Sequence, residues 1–189
     1  MINIAVSGAA GKMGQRLIAL IELADDLNLS GAIERKSSGS IGTLVSESIH
    51  ITDNPENAIK NSDILIEFST PTATLKHLEL VRENHKKMVI GTTGLTDDDM
   101  ENIKNASKNC AILISPNMSL GVNILFKLTE IITKLLIGKG FDIEILEAHH
   151  RNKVDAPSGT AKKLAEIIAG QLDLSLSEIA KYGRCGLVG

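Results

Sequence analysis

Apolar positions along the chain fall into short continuous runs separated by longer stretches with helical spacing. Ile2–Val6, Leu29–Ile33, Ile64–Phe68, Met88–Ile90 and Ala111–Ile114 are short, rich in Ile, Leu and Val, and bounded by Gly, Pro, Ser or Asp. They predict strands buried on both faces. Between them, Lys12–Ala24, Ala73–Asn84 and Asp97–Ser107 carry apolar residues at helical spacing and predict helices. A β-α-β-α rhythm of this kind predicts a parallel sheet with helices on its faces and right-handed crossovers. The Ser/Gly-rich segment 35–48 reads as a surface loop. From Leu120 to Leu136 the pattern becomes one long apolar helix, and Phe141–Glu147 then alternates as a strand would. The expected fold is α/β: a Rossmann-like parallel-sheet domain over 1–119, followed by a partial α+β domain over 120–189 for substrate binding and oligomerisation.

Composition narrows the function classes. The chain has 189 residues, a net charge of −3, no Trp, one Tyr and three Phe. That balance favours neither nucleic acid nor stacked single strands as a partner. Cys110 and Cys185 are far apart and form no CxxC, so no disulfide framework or zinc ribbon is implied. No basic segment precedes the apolar run at the N-terminus, and no apolar run reaches the ~20 residues of a membrane span. The expectation is a cytoplasmic protein with no membrane partner.

Candidate chemistry gathers at the carboxyl ends of the predicted strands. Gly8-Ala9-Ala10-Gly11-Lys12-Met13-Gly14 lies between a strand and a helix. Glycines there permit a tight turn and let backbone N–H groups approach a pyrophosphate. The spacing is GxxGxxG, and a packed strand-to-helix turn would look the same. Glu34 and Arg35 end the next strand, about 20 residues on, where an acid can bond ribose hydroxyls and an Arg can pair with a 2′-phosphate. A solvated Glu-Arg pair is the plainer alternative. Phe68-Ser69-Thr70-Pro71, Gly91-Thr92-Thr93-Gly94 and Ser115-Pro116-Asn117-Met118 follow three further strands. In an open parallel sheet these ends form the ligand crevice. Four such loops argue for a dinucleotide, with its nicotinamide near Thr92 and Thr93.

The stretch EAHHRNKVDAPSGTA adds a second centre. On a strand end His149 and His150 point in opposite directions, so one can serve as an acid near neutral pH while the other binds. Lys153 brings a cation, and Ser158-Gly159-Thr160 opens a helix that can seat a carboxylate. A small dianionic substrate reduced at an activated double bond fits this set. Two alternatives stand beside it: a solvated basic loop at Arg151 and Lys153, and a metal site from His149, His150 and Asp155, for which no further Cys/His cluster completes the ligands. His50, His77 and His85 are read as surface positions, and Cys110 as core.

With VSGAAGKMG, GAIER, EFSTP, VIGTTG, SPNMSLGVN and EAHHRNKVDAPSGTA in place, nearly the whole chain resembles the 4-hydroxy-tetrahydrodipicolinate (dihydrodipicolinate) reductases of lysine and diaminopimelate biosynthesis. The resemblance implies NADH and NADPH as cofactors, contacted by Gly8, Ala9, Ala10, Gly11, Lys12, Met13, Glu34, Arg35, Gly91, Thr92, Thr93, Ser115, Pro116, Asn117 and Met118. It implies that His149 and Lys153 are catalytic and that His150, Ser158, Gly159 and Thr160 bind a small dicarboxylate. In that chemistry the substrate loses its 4-hydroxyl as water, hydride adds at carbon 4, and a proton reaches carbon 3. No metal is implied, and the family assembles as a homotetramer. Two departures stand out. Thr70 occupies a position where many members carry a basic residue, which shifts the expected preference toward NADH. The family also continues beyond GRCGLVG, so a C-terminally truncated chain is expected, with weak dinucleotide binding and little reduction. A catalytically inactive dinucleotide-binding remnant is therefore the alternative function; another nicotinamide enzyme, such as an amino-acid dehydrogenase, is disfavoured by the His-His loop.

Overall fold

The computed structural model describes residues 1–151, 153 and 155–187, and it divides the chain into two compact units that meet in sequence at Ser115 and Pro116. The first unit runs β1 (Ile2–Ser7), α1 (Lys12–Glu22), β2 (Leu27–Ile33), β3 (Ile51–Thr52), α2 (Pro55–Lys60), β4 (Ile64–Glu67), α3 (Pro71–Glu83), β5 (Lys87–Ile90), α4 (Asp97–Ala106) and β6 (Ile112–Ile114). The strands form one parallel sheet in the order β3-β2-β1-β4-β5-β6. This is the doubly wound Rossmann order, with its switch point between β1 and β4.

Alternation along β1 divides the core. Ile4 and Val6 pack with Ile18 and Ile21 of α1 and with Leu29 and Ala32 of β2. Ala5 faces the other layer, where Leu65, Leu78, Val81, Met88, Ile90 and Ile103 are buried together. Cys110 joins that second cluster, as a core residue should. Three helices of this unit start on side-chain caps. Asn54 accepts from Asn57 N–H, Thr70 accepts from Ala73 N–H ahead of Pro71, and Thr96 forms a reciprocal capping box with Asp99. Such caps satisfy donors that the helix geometry leaves open.

Two short elements, β3 and α2, lie just past the expected surface loop 35–48, and Leu44 of that loop bridges to His50 beyond its end. His77, read as a surface residue, is buried at 7 % exposure. It follows Thr74 at helical spacing and precedes Leu78 and Val81 on the inward face of α3, so spacing overrides residue type.

The second unit contains α5 (Leu120–Leu136), β7 (Asp155–Ala156), α6 (Gly159–Gln171), α7 (Leu176–Ile179) and β8 (Gly186–Leu187). β7 and β8 pair antiparallel. Helix α5 buries Phe126 and Thr133 and leaves Leu128, Ile131, Ile132 and Leu135 exposed. Phe141–Glu147 is no strand: residues 141–150 carry no ladder and are exposed. Alternating apolar residues become a strand only where a neighbour takes up the backbone groups, and the described residues supply none. Among the described residues, no helix is long and apolar enough to cross a membrane.

Candidate active site

At the switch point the chain leaves β1 through Gly8, whose φ of +76° favours glycine. A Cβ there would meet the Phe68 carbonyl oxygen from the end of β4, and one at Gly14 would meet the Gly8 carbonyl. The turn is thus closed down on bare backbone. It is pinned to β2 by Gly8 N–H and Ala9 N–H, which both donate to Ile33 O, at 3.0 and 3.1 Å. Gly11 is the N-cap of α1 and offers no side-chain acceptor, so the first N–H groups of that helix, through Lys12 and Met13, are left for another partner. Glu34 lies beside this turn: its Oε2 accepts from Ala10 N–H at 3.2 Å and its Oε1 from Arg35 N–H at 3.0 Å. Arg35 is exposed. The structure therefore brings Gly8–Met13 and Glu34 together at one sheet edge, with the form a pyrophosphate and ribose require.

The other strand ends divide. Thr92 is buried; its Oγ1 accepts from Ser69 N–H at 3.3 Å and is 2.9 Å from Thr74 Oγ1. Its hydroxyl therefore faces the protein, while Thr93 is exposed beside half-buried Gly91. Ser115 N–H donates to Ile90 O at 3.1 Å, which continues the β5–β6 edge. Pro116, Asn117 and Met118 belong to the second unit. There Asn117 Nδ2 donates to Thr160 Oγ1 at 3.2 Å, and Asn117 Oδ1 accepts from Ser119 N–H at 2.9 Å. Two residues assigned to different ligands from sequence are in direct contact.

Within the second unit, His149, His150 and Lys153 line one cavity of about 900 Å³, together with Glu147, Arg151, Tyr182 and Arg184. Lys153 N–H donates to His150 O at 3.2 Å, which folds the loop into a turn. His149 Nε2 is 2.7 Å from Glu147 Oε2, and Glu147 Oε1 accepts from Ser158 N–H at 2.8 Å. Burial pushes the Glu147 carboxyl up, but hydrogen bonds from Ser158 and His149 outweigh it and hold the group down at about 2. It is therefore an anion near neutral pH, and as an acceptor-only partner it keeps a proton on His149 Nε2. Ser158 Oγ accepts from Ala161 N–H at 3.1 Å and so caps α6. Ser158, Gly159 and Thr160 sit in that cap and first turn rather than on the cavity wall, where Ala156, Pro157 and Ala161 stand instead. Among the described residues no cluster of His, Cys, Asp and Glu could hold a metal ion.

Sequence reasoning missed Glu147, Tyr182 and Arg184. A signal existed for the first: on an extended segment, residues two apart share a side, which puts a carboxylate beside His149.

Comparison with known proteins finds a match for each part of the chain. Residues 2–118 match the family described as dihydrodipicolinate reductase, N-terminus, and residues 121–184 match dihydrodipicolinate reductase, C-terminus. Curated 4-hydroxy-tetrahydrodipicolinate reductases of Nitrosospira multiformis and Nitrosomonas europaea are 45 % and 44 % identical over the whole chain, which spans 72 % of each relative's length. A solved dipicolinate-bound dihydrodipicolinate reductase from Paenisporosarcina sp. is 29 % identical, with a TM-score of 0.73 over 97 % of this chain and 69 % of that one. A homoserine dehydrogenase of S. aureus, 15 % identical with a TM-score of 0.57 over 98 % of this chain and 55 % of that one, shares the fold alone.

Proposed function

The chain belongs to the dihydrodipicolinate reductase family, and on that premise we propose that it reduces 4-hydroxy-tetrahydrodipicolinate, through dihydrodipicolinate, to tetrahydrodipicolinate on the route to lysine and diaminopimelate. The observation that carries this reading is the convergence of His149, His150 and Lys153 on one cavity, in a chain whose solved relative has dipicolinate bound.

The cofactor is a nicotinamide dinucleotide, and when bound it supplies the hydride. The residues present fit it: the glycine turn has no room for side chains, and the α1 N-terminus is open to a phosphate. Gly8, Ala9, Ala10, Gly11, Lys12 and Met13 would hold the pyrophosphate, and Glu34 the adenosine ribose. Gly91, Thr92, Thr93, Ser115, Pro116, Asn117 and Met118 would border the nicotinamide side. Both NADH and NADPH are expected to serve. Glu34 favours the ribose that carries no phosphate, and exposed Arg35 offsets this by pairing with a 2′-phosphate.

In the second unit His149 acts as the acid for the carbon that gains a proton. Glu147 orients its ring. Lys153 pairs with a substrate carboxylate and shares in the proton transfer through its charge. His150 holds the dicarboxylate from the cavity wall, and Ser158, Gly159 and Thr160 support its binding through the helix start they build.

The test couples the purified chain to a dihydrodipicolinate synthase, which generates the unstable substrate, and follows the loss of NADH. His149→Gln should lower turnover by about 10²–10⁴-fold, the range for a general acid, with NADH affinity unchanged. A wild-type chain that consumes no NADH with this substrate, or a His149→Gln variant with full turnover, would overturn the assignment.

A further inference from the structure

The carboxyl ends of β1, β4 and β5 share a buried polar cluster outside the residues assigned above to ligand contact, save Thr92. Glu67, the last residue of β4, is 0 % exposed. Its Oε2 is 2.6 Å from His77 Nδ1 on α3, and its Oε1 accepts from the Ser69 hydroxyl. The same His77 nitrogen is 3.3 Å from Ser7 Oγ, and Ser7 immediately precedes the glycine turn. Ser69 N–H in turn donates to Thr92 Oγ1. Burying a carboxylate and an imidazole is costly unless their polar atoms are paired. Here the outside partners are Ser7, the last residue of β1, and Ser69, in the loop after β4, so the cluster ties two strand ends together.

We propose that Glu67 and His77 form a positioning pair for the cofactor, holding Ser7, Ser69 and Thr92 in one mutual register at three strand ends. The inference rests on the dinucleotide reading of the first unit. It also makes a distinction within that site. The adenosine side has anchors of its own, namely the Gly8 and Ala9 N–H bonds to Ile33 O and the Glu34 bond to Ala10. The loop that carries Ser69 is bonded to the pair through Glu67, and Thr92 is joined to it through Ser69 N–H as well as to Thr74 Oγ1. Loss of the pair therefore acts selectively on the nicotinamide side.

Calorimetric titration of NADH and of ADP-ribose, which lacks the nicotinamide, tests this. His77→Leu should weaken NADH about tenfold, the scale of one ordered hydrogen bond, and ADP-ribose by less than about twofold. His77→Gln, whose amide still donates to Glu67, should recover most of the NADH affinity. Ser69→Ala leaves the pair in place and should show a smaller loss in the same direction; it decides the matter if the His77 variants do not fold. Equal weakening of both ligands, or NADH affinity unchanged in His77→Leu and in Ser69→Ala, refutes the pair's positioning role. A wild-type chain that binds neither ligand overturns the dinucleotide reading, and this inference with it.

Discussion

Exchanging Glu147 for Gln probes what holds the His149 ring. The carboxylate serves two donors at once, His149 Nε2 at 2.7 Å through one oxygen and Ser158 N–H at 2.8 Å through the other. A glutamine has one oxygen and one NH₂. If the oxygen stays with Ser158, the NH₂ meets His149 Nε2 and can bond it only when that nitrogen carries no proton. The substitution thus selects the opposite tautomer or turns the ring away. A hydrogen bond to a charged group contributes about 1.5–3 kcal/mol, and each 1.4 kcal/mol is about tenfold. Turnover should therefore fall by about 10–10²-fold. It should fall less than in His149→Gln, because mispositioning an acid costs no more than removing it.

The assay is steady-state NADH oxidation with the coupled substrate, on Glu147→Gln, His149→Gln and the double variant. If Glu147 acts through His149, the double variant is no slower than His149→Gln alone, because groups that work as a unit are not additive. Affinity for NADH should not change, since neither residue is among those assigned to the dinucleotide. A double variant slowed by the product of the two single effects would refute the reasoning, as would a single variant with full turnover.

Three other outcomes are expected. Lys153→Ala should raise the KM for substrate, lower kcat and weaken pyridine-2,6-dicarboxylate in parallel; intact inhibitor binding would remove Lys153 from carboxylate contact. Arg35→Ala should weaken NADPH and leave NADH nearly untouched, and calorimetry giving equal losses would show that Arg35 does not read the phosphate. The Glu147 carboxyl sits at about 2 in the folded chain against an ordinary 4.5. Its contribution to stability is complete above pH 4.5 and is lost as pH falls through about 2. The stability gap between wild type and Glu147→Gln in urea should therefore narrow on acidification below 4.5, and a gap that stays constant would contradict the assigned pairing.

Much of the first unit was legible because its determinants are local. The central strands are short and mostly apolar, and their boundaries in the structure lie within a residue or two of the pattern. What escaped was short or long-range. α2 has six residues, PENAIK, and only two of them are buried, Ala58 and Ile59. Its signal was Asn54-Pro55, an N-cap followed by a proline in the first turn. β3 pairs through just Ala32–Ile51 and Ile33–Thr52, too short a ladder for periodicity to register. His77 was misjudged because a lone histidine was read by type, although Thr74, His77, Leu78 and Val81 mark one helix face. Glu67 carried a similar signal: an acid closing the apolar run Ile64-Leu65-Ile66 requires a buried partner.

The second unit separates motif from mechanism. EAHHRNKVDAPSGTA is distinctive enough to identify the chemistry, yet the expected strand leading into it does not form. That failure changes what holds His149. A residue at the end of a paired strand is oriented by its ladder, but residues 141–150 have none. The restraint visible in the structure is lateral: Glu147 ties the imidazole to Ser158, eleven residues on, and Ser158 is fixed as the buried N-cap of α6. The imidazole is thus held by a side-chain relay anchored on a helix start. In the proposed role of His149 as the acid, these two contacts would set the direction of the ring that delivers the proton.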